Sequence, residues 1–288
     1  MSYTHFAMDT SFYHSLGAYD FDARCEMLKD LGFDATYLTL WSEAAWADVP
    51  QLAQVKARHG LDIAAVYVTL DIAGEDDHAD NGRILHLLHT MEGCADVEVA
   101  ITSSDAIQAS DPVGDPAAMR WLRRLLAVAE QRGITLSLYP HSTYWLERVD
   151  DAVRLCRAID HPSLRAVFCG FHWYAVDGAN LAATLEAAAP FLHSVNLAGT
   201  RRVGQSADGV LATIEPLDEG ELDNFVVLGL LRDVGYRGKV GIQGFSVAGD
   251  VYAKLRRSLA ALRDMQRRLD EHPQWARLRP DGVGVRLF

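Results

Sequence analysis

Short apolar runs rich in β-branched and aromatic residues alternate with longer stretches in which apolar positions recur every three to four residues, and this happens eight times along the chain. Strands are expected near His5–Met8, Ala35–Leu40, Asp62–Val68, Val97–Thr102, Thr135–Tyr139, Arg165–Gly170, Ser194–Leu197 and Lys239–Gln243. Helices are expected over about Asp20–Leu31, Val49–His59, Asn81–Met91, Val149–Ile159, Leu181–Ala188 and Leu222–Val234. Two more run from an Asp115 cap, with Pro116 in the first turn, to Gly133, and from Asp250 past Arg268. Gly32, Gly60, Gly133 and Gly235 stand where helices should end, because glycine accepts the left-handed conformation of a C-terminal cap. Regular alternation of this kind requires parallel strands with helices outside, and closing eight such strands removes both exposed edges. The expected fold is α/β, a single (β/α)8 TIM barrel over residues 1–270. Residues 271–288 are a C-terminal extension rather than a second domain, with Trp275, Leu287 and Phe288 available to dock on their own barrel or on a partner.

An apolar fraction of 49% and a charged fraction of 23% over 288 residues suit one large globular core. The formal charge of −12 opposes nucleic acid as a partner, because phosphates are bound by cations that release counterions. No run approaches the roughly 20 apolar residues of a membrane helix. Met1–Phe6 lacks the basic and apolar regions of a signal peptide, so the expectation is a cytoplasmic protein with no membrane partner. Cys25, Cys94, Cys156 and Cys169 form no closely spaced pair, which argues against a zinc knuckle or a disulfide framework.

A barrel enzyme presents its chemistry at the carboxyl ends of its strands. Trp41 follows the second strand, Tyr67 and Asp71 lie around the third, Thr102 ends the fourth, and Tyr144, Trp145 and Trp173 follow the fifth and sixth. Such aromatic residues either stack on sugar rings and flat ligands or pack as ordinary loop residues. Asp71 is the one carboxylate to consider as an auxiliary base. Schiff-base chemistry needs a lysine inside the barrel. Lys29, Lys56 and Lys254 fall in helices, however, and Lys239 opens the last strand at the opposite end. Hydrolase, nucleotide and dinucleotide motifs are missing. Asp250 at the last helix start would repel a phosphate, which leaves Arg201 and Arg202 as the cations for an anionic group and favours an unphosphorylated substrate.

The chain resembles the xylose isomerase-like TIM-barrel family of sugar isomerases and epimerases. The residues that carry the resemblance are Tyr139-Pro-His141, Val149–Leu155 leading to Ile159-Asp-His-Pro162, His172, Leu217–Asp223 and Gly235-Tyr236. In the family a divalent metal such as manganese sits among two Glu, an Asp and a His; the corresponding positions here read Tyr139, Cys169, Asn196 and Gln243. A phenol, a thiol and two amides offer a hard cation almost no charge, so no cofactor is expected; a metal, if present, would fall to His141 and His172. The resemblance implies a small sugar-like substrate, with a homo-oligomer left open. It also implies an isomerase, an epimerase or a lyase that moves a proton next to a carbonyl. His141 and His172, on neighbouring strand ends, would serve as acid and base, with Tyr139 donating to a developing enolate. Asn196 and Gln243 would clamp sugar hydroxyls, and Cys169 would line the site as an inert thiol. The alternatives are histidines merely left over from an ancestral metal site, and a non-catalytic barrel that binds sugar or another subunit.

Overall fold

The computed structural model describes residues 3–73, 79–103, 107–206 and 209–279. Eight parallel strands, β1 (Thr4–Ala7), β2 (Ala35–Thr39), β3 (Asp62–Asp71), β4 (Asp96–Thr102), β5 (Thr135–Leu138), β6 (Leu164–Cys169), β7 (Leu192–Leu197) and β10 (Lys239–Ile242), close into a barrel. The remaining pair, β8 (Gly199–Ser206) and β9 (Gly209–Glu215), forms an antiparallel hairpin. Each barrel strand lies beside the next in sequence, and β10 returns to β1 in register from Thr4 opposite Lys239 to Ala7 opposite Ile242. The barrel therefore has no open edge, as the strand-helix repetition predicts.

Both faces of these strands are buried, but against different neighbours. Val97, Val99 and Ile101 of β4 pack outward on the helices, whereas Phe6, Tyr37, Tyr67, Tyr139 and Cys169 meet inside the barrel. The helix Val149–Ile159 falls where the periodicity puts it and ends on Asp160 in a left-handed conformation. The first helix, Phe21–Leu31, is capped by the Asp20 carboxylate, which accepts from the Ala23 N–H at 2.8 Å. Asp250 caps the long helix Val251–Glu271 in the same way.

Four details differ from expectation. The predicted helix over Val49–His59 is a helix Glu43–Asp48, a short 3-10 turn and a helix Leu52–His59, because Pro50 denies the chain a backbone donor there. Asp115 is the first residue of its helix, not the cap, since a 3-10 turn over Pro112–Gly114 leads directly into it. A helix Gly170–Val176 follows β6 at once, and the β8–β9 hairpin fills the connection behind β7. The extension begins by docking on its own barrel: in the helix Gln274–Arg277, Ala276 sits against Gly229, where a side chain would collide with it. Trp275 stacks on His272 at 4.0 Å. Leu287 and Phe288 lie outside the described residues, as do Met1 and Ser2.

Candidate active site

The turn after β5 organises the carboxyl end of the barrel. The His141 N–H donates to the Leu146 carbonyl at 2.9 Å and the Tyr144 N–H to the His141 carbonyl at 3.0 Å. Between them Thr143 is forced to a φ of 74°, a costly conformation for a β-branched residue. This tight turn pushes Ser142 between two imidazoles. The Ser142 carbonyl lies 2.7 Å from His141 Nδ1, while its N–H and hydroxyl lie 3.2 and 3.0 Å from His172 Nδ1.

A carbonyl only accepts and a peptide N–H only donates, so these partners assign the protons. His141 carries its proton on Nδ1 and leaves Nε2 bare. His172 accepts at Nδ1 and carries its proton on Nε2. The two rings lie 4.0 Å apart, and Tyr144 stacks on His141 at 4.1 Å. Burial pushes His141 down to about 4, with the Ser142 carbonyl pulling the other way. Burial, followed by the neighbouring His141, holds His172 well below the usual imidazole range. Both rings are neutral at neutral pH.

Beneath them Tyr139, Cys169 and Gln243 are linked. The Tyr139 hydroxyl meets the Cys169 thiol, and the thiol donates to Gln243 Oε1 at 3.0 Å. Burial pushes the thiol up to about 11 and, with Cys169 beside it, the phenol well above its ordinary value, so both keep their protons. Asn196 pairs in register with Cys169 on one side and Gly241 on the other. It is 0% exposed, and neither its Oδ1 nor its Nδ2 has a hydrogen-bond partner. A protonated phenol, a protonated thiol and two amides do not fit a hard divalent ion. Among the described residues no three His, Cys, Asp or Glu side chains come together as metal ligands.

A cavity of about 730 Å3 opens over this floor. Of the residues expected there, it is lined by Trp41, Tyr67, Tyr139, His141, Tyr144, His172 and Gln243. Cys169 lies just below, bonded to Gln243. Six expectations need correction, since neither Thr102 nor any of the following five side chains lines the cavity. Trp145 is buried in the outer core against Gly114 and donates its indole N–H to the Asp111 carbonyl at 2.9 Å. Trp173 packs on Phe168 in the same layer, because the helix Gly170–Val176 turns it away from the barrel axis. The Asp71 carboxylate is used locally, accepting from the Ala73 N–H at 2.8 Å. Arg201 is carried out on β8 and pairs with Glu215 at 3.3 Å. Asn196 is enclosed within the barrel wall beside Gly241.

The cavity also takes residues that the pattern of strand ends does not reveal. Thr10 and Thr39 come from the loop after β1 and the end of β2, where Asp9 accepts from the Thr39 N–H and hydroxyl at 3.0 and 2.6 Å. Phe171 and Phe245 add aromatic surface, and Ala212, Thr213 and Ile214 of the hairpin cover one side. The available signal for the hairpin was the turn-favouring dipeptide Asp208-Gly209 between two short runs, with Gly209 opening β9 opposite Ser206.

The sequence matches the family model described as xylose isomerase-like TIM barrel over residues 25–267. No curated protein sequence is significantly similar. Among solved structures, a 3-keto-D-glucoside 4-epimerase from E. coli is 17% identical with a TM-score of 0.71, covering 91% of this chain and 100% of the other. D-allulose 3-epimerase from Methylomonas sp., solved with D-allulose, is 15% identical with a TM-score of 0.72 over 91% and 97%. The IOLI protein with a bound zinc atom is 13% identical with a TM-score of 0.74 over 91% and 97%. At such identities the solved structures establish the fold, and the model match, spanning most of the barrel, establishes that this chain belongs to the xylose isomerase-like TIM-barrel family.

Proposed function

We propose that the chain is a sugar or keto-sugar isomerase or epimerase that transfers protons next to a carbonyl with two neutral histidines in place of the family's metal. The observation that carries this reading is Ser142, which gives the adjacent imidazoles opposite tautomers. Bare Nε2 of His141 takes the proton from the carbon next to the carbonyl. The electron pair moves to the carbonyl oxygen, which receives the Nε2 proton of His172, leaving an enediol between a protonated His141 and a His172 that has given up one proton. His141 then returns its proton to the former carbonyl carbon while the hydroxyl on the original carbon gives its proton to His172. Alternatively, once the enediol has turned its other face to His141, the proton goes to the original carbon while the new hydroxyl returns its proton to His172. Either course restores both rings and releases the isomer. Neutral imidazole is a competent electrophile in such chemistry. The Tyr139 phenol, protonated and 5.7 Å ring to ring from His172, would help to polarise the oxygen once its hydroxyl turns from the Cys169 thiol. Structurally similar epimerases act on a 3-keto-glucoside and on D-allulose, which supports a carbohydrate substrate.

The rival reading is a sugar-binding barrel without catalysis, favoured by the exchange of charged positions for a closed Tyr139–Cys169–Gln243 chain. Incubation of keto-sugars with chelator-treated protein in D2O separates the two. Deuterium entering the carbon beside the carbonyl, seen by NMR and lost in His141→Ala, supports the enzyme. Binding without exchange supports the rival, and exchange that requires added metal defeats the proposed mechanism.

A further inference from the structure

The cavity is built in two halves of different chemistry. At its floor Tyr67, Tyr139, His172 and Gln243 are buried, and a further hydrogen-bonding group points to a ligand: Thr10 Oγ1 has no partner although the residue is buried. Buried hydroxyls without partners are costly, and sugar hydroxyls would satisfy them. At its mouth Trp41 remains 42% exposed, yet perpendicular contacts fix its ring, 5.7 Å from Tyr67 and 5.8 Å from Phe245. Ile214 and Phe171 extend this apolar rim.

Among the described residues no Asp, Glu, Lys or Arg lines the cavity. The nearby hairpin arginines are engaged elsewhere, Arg201 with Glu215 and Arg202 with the Tyr174 carbonyl and ring. A phosphate or carboxylate entering here would lose water and meet no cation. A second sugar ring at the mouth would bring hydroxyls to a largely apolar rim, where Thr213 already donates to Glu215 at 2.7 Å. The volume of about 730 Å3 lies in the range of roughly 300–1,000 Å3 that accommodates drug-sized ligands.

Resting on the sugar-enzyme reading above, we infer that the substrate is a neutral glycoside of a keto-sugar with an aromatic aglycone, its sugar ring on the floor and its aromatic ring against the rim formed by Trp41 and Phe245. Rigid aromatic walls meet an aryl group in offset or edge-on contact with little loss of side-chain freedom.

The test is calorimetry with phenyl β-D-glucoside and phenyl β-D-galactoside against their methyl counterparts, cellobiose and phenol. The expected result is that at least one phenyl glycoside binds about tenfold or more tightly than its methyl partner, cellobiose and phenol. Trp41→Ala should weaken that phenyl glycoside by roughly three- to tenfold and leave the methyl glycoside unchanged. Equal binding of phenyl and methyl glycosides, tighter binding of cellobiose, or binding of none overturns the inference. A phenyl preference with no deuterium exchange in any keto-sugar would defeat the proposed reaction but keep the aglycone site. Exchange without a phenyl preference would do the reverse.

Discussion

The two ends of the barrel bury polar groups in opposite ways. At the amino end the Asp96 carboxylate takes the ring N–H of His193 and the Lys239 ammonium, the latter at 2.9 Å, and Lys239 also donates to the Ala64 carbonyl at 2.6 Å. Burial alone would raise Asp96, but His193 and Lys239 hold it below the usual carboxylate range. At the carboxyl end, apart from Asp9, which is tied to Thr39, the buried groups around the cavity are uncharged imidazoles, a phenol, a thiol and amides, and the Thr10 hydroxyl lacks a partner. Matched charge closes one end and stabilises the fold. Unmatched neutral donors and acceptors leave the other end open to a neutral ligand.

The largest effect should come from breaking the charged end. Asp96→Ala removes one partner from a part-buried cluster, which costs about 2–3 kcal/mol, the upper range for hydrogen bonds to charged groups. Urea denaturation reads this loss directly. Deuterium exchange per folded molecule should stay near the parent rate, and a matching loss of exchange would mean that the two ends are not independent.

The neutral end should behave in the opposite manner. His141→Ala and His172→Ala should each lower turnover by about 10²-fold, the usual effect of losing a positioned acid or base, while the melting temperature stays within a few degrees. A variant at either position that turns over like the parent would reduce the pair to inherited architecture.

Glu98, midway between the ends, sharpens the contrast. It is buried inside the barrel and accepts from the Tyr37 hydroxyl at 2.6 Å. Burial raises its pKa despite that hydrogen bond. A carboxyl group raised on folding holds its proton in the native state after the unfolded chain has lost it, so stability falls as pH rises above the unfolded value. Glu98→Gln keeps an acceptor for Tyr37 and removes this slope. Stability at pH 8 should rise by about 1 kcal/mol relative to the parent, with little change at pH 4, as measured by urea denaturation.

Glu98 also illustrates how far the fold and site are legible in the sequence. The eight strand-helix units are plain, because outward-facing residues such as Val97, Val99 and Ile101 pack on helices that carry their own apolar stripes. The inward face is less plain. Apolar neighbours on both sides hide Glu98, and periodicity cannot say which buried face encloses polar groups. His141, His172, Tyr139 and Gln243 are accessible to reading because they end strands or follow them closely. Ser142 is not, since its carbonyl and N–H do much of the positioning and every non-proline residue has both. Trp145 and Trp173 mislead for a related reason: residues a few places beyond a strand turn inward or outward according to the loop, and these two turn outward.

The central claim is that Ser142 fixes two neutral imidazoles in opposite tautomers, and nitrogen NMR of histidine-labelled protein across a pH titration tests it without any substrate. The two rings should show His141 protonated on Nδ1 and His172 on Nε2 at neutral pH. His141 should gain its second proton only near pH 4, and His172 should remain neutral well below pH 6.5. The same tautomer in both rings, or ordinary titration of either near pH 6.5, would contradict the account.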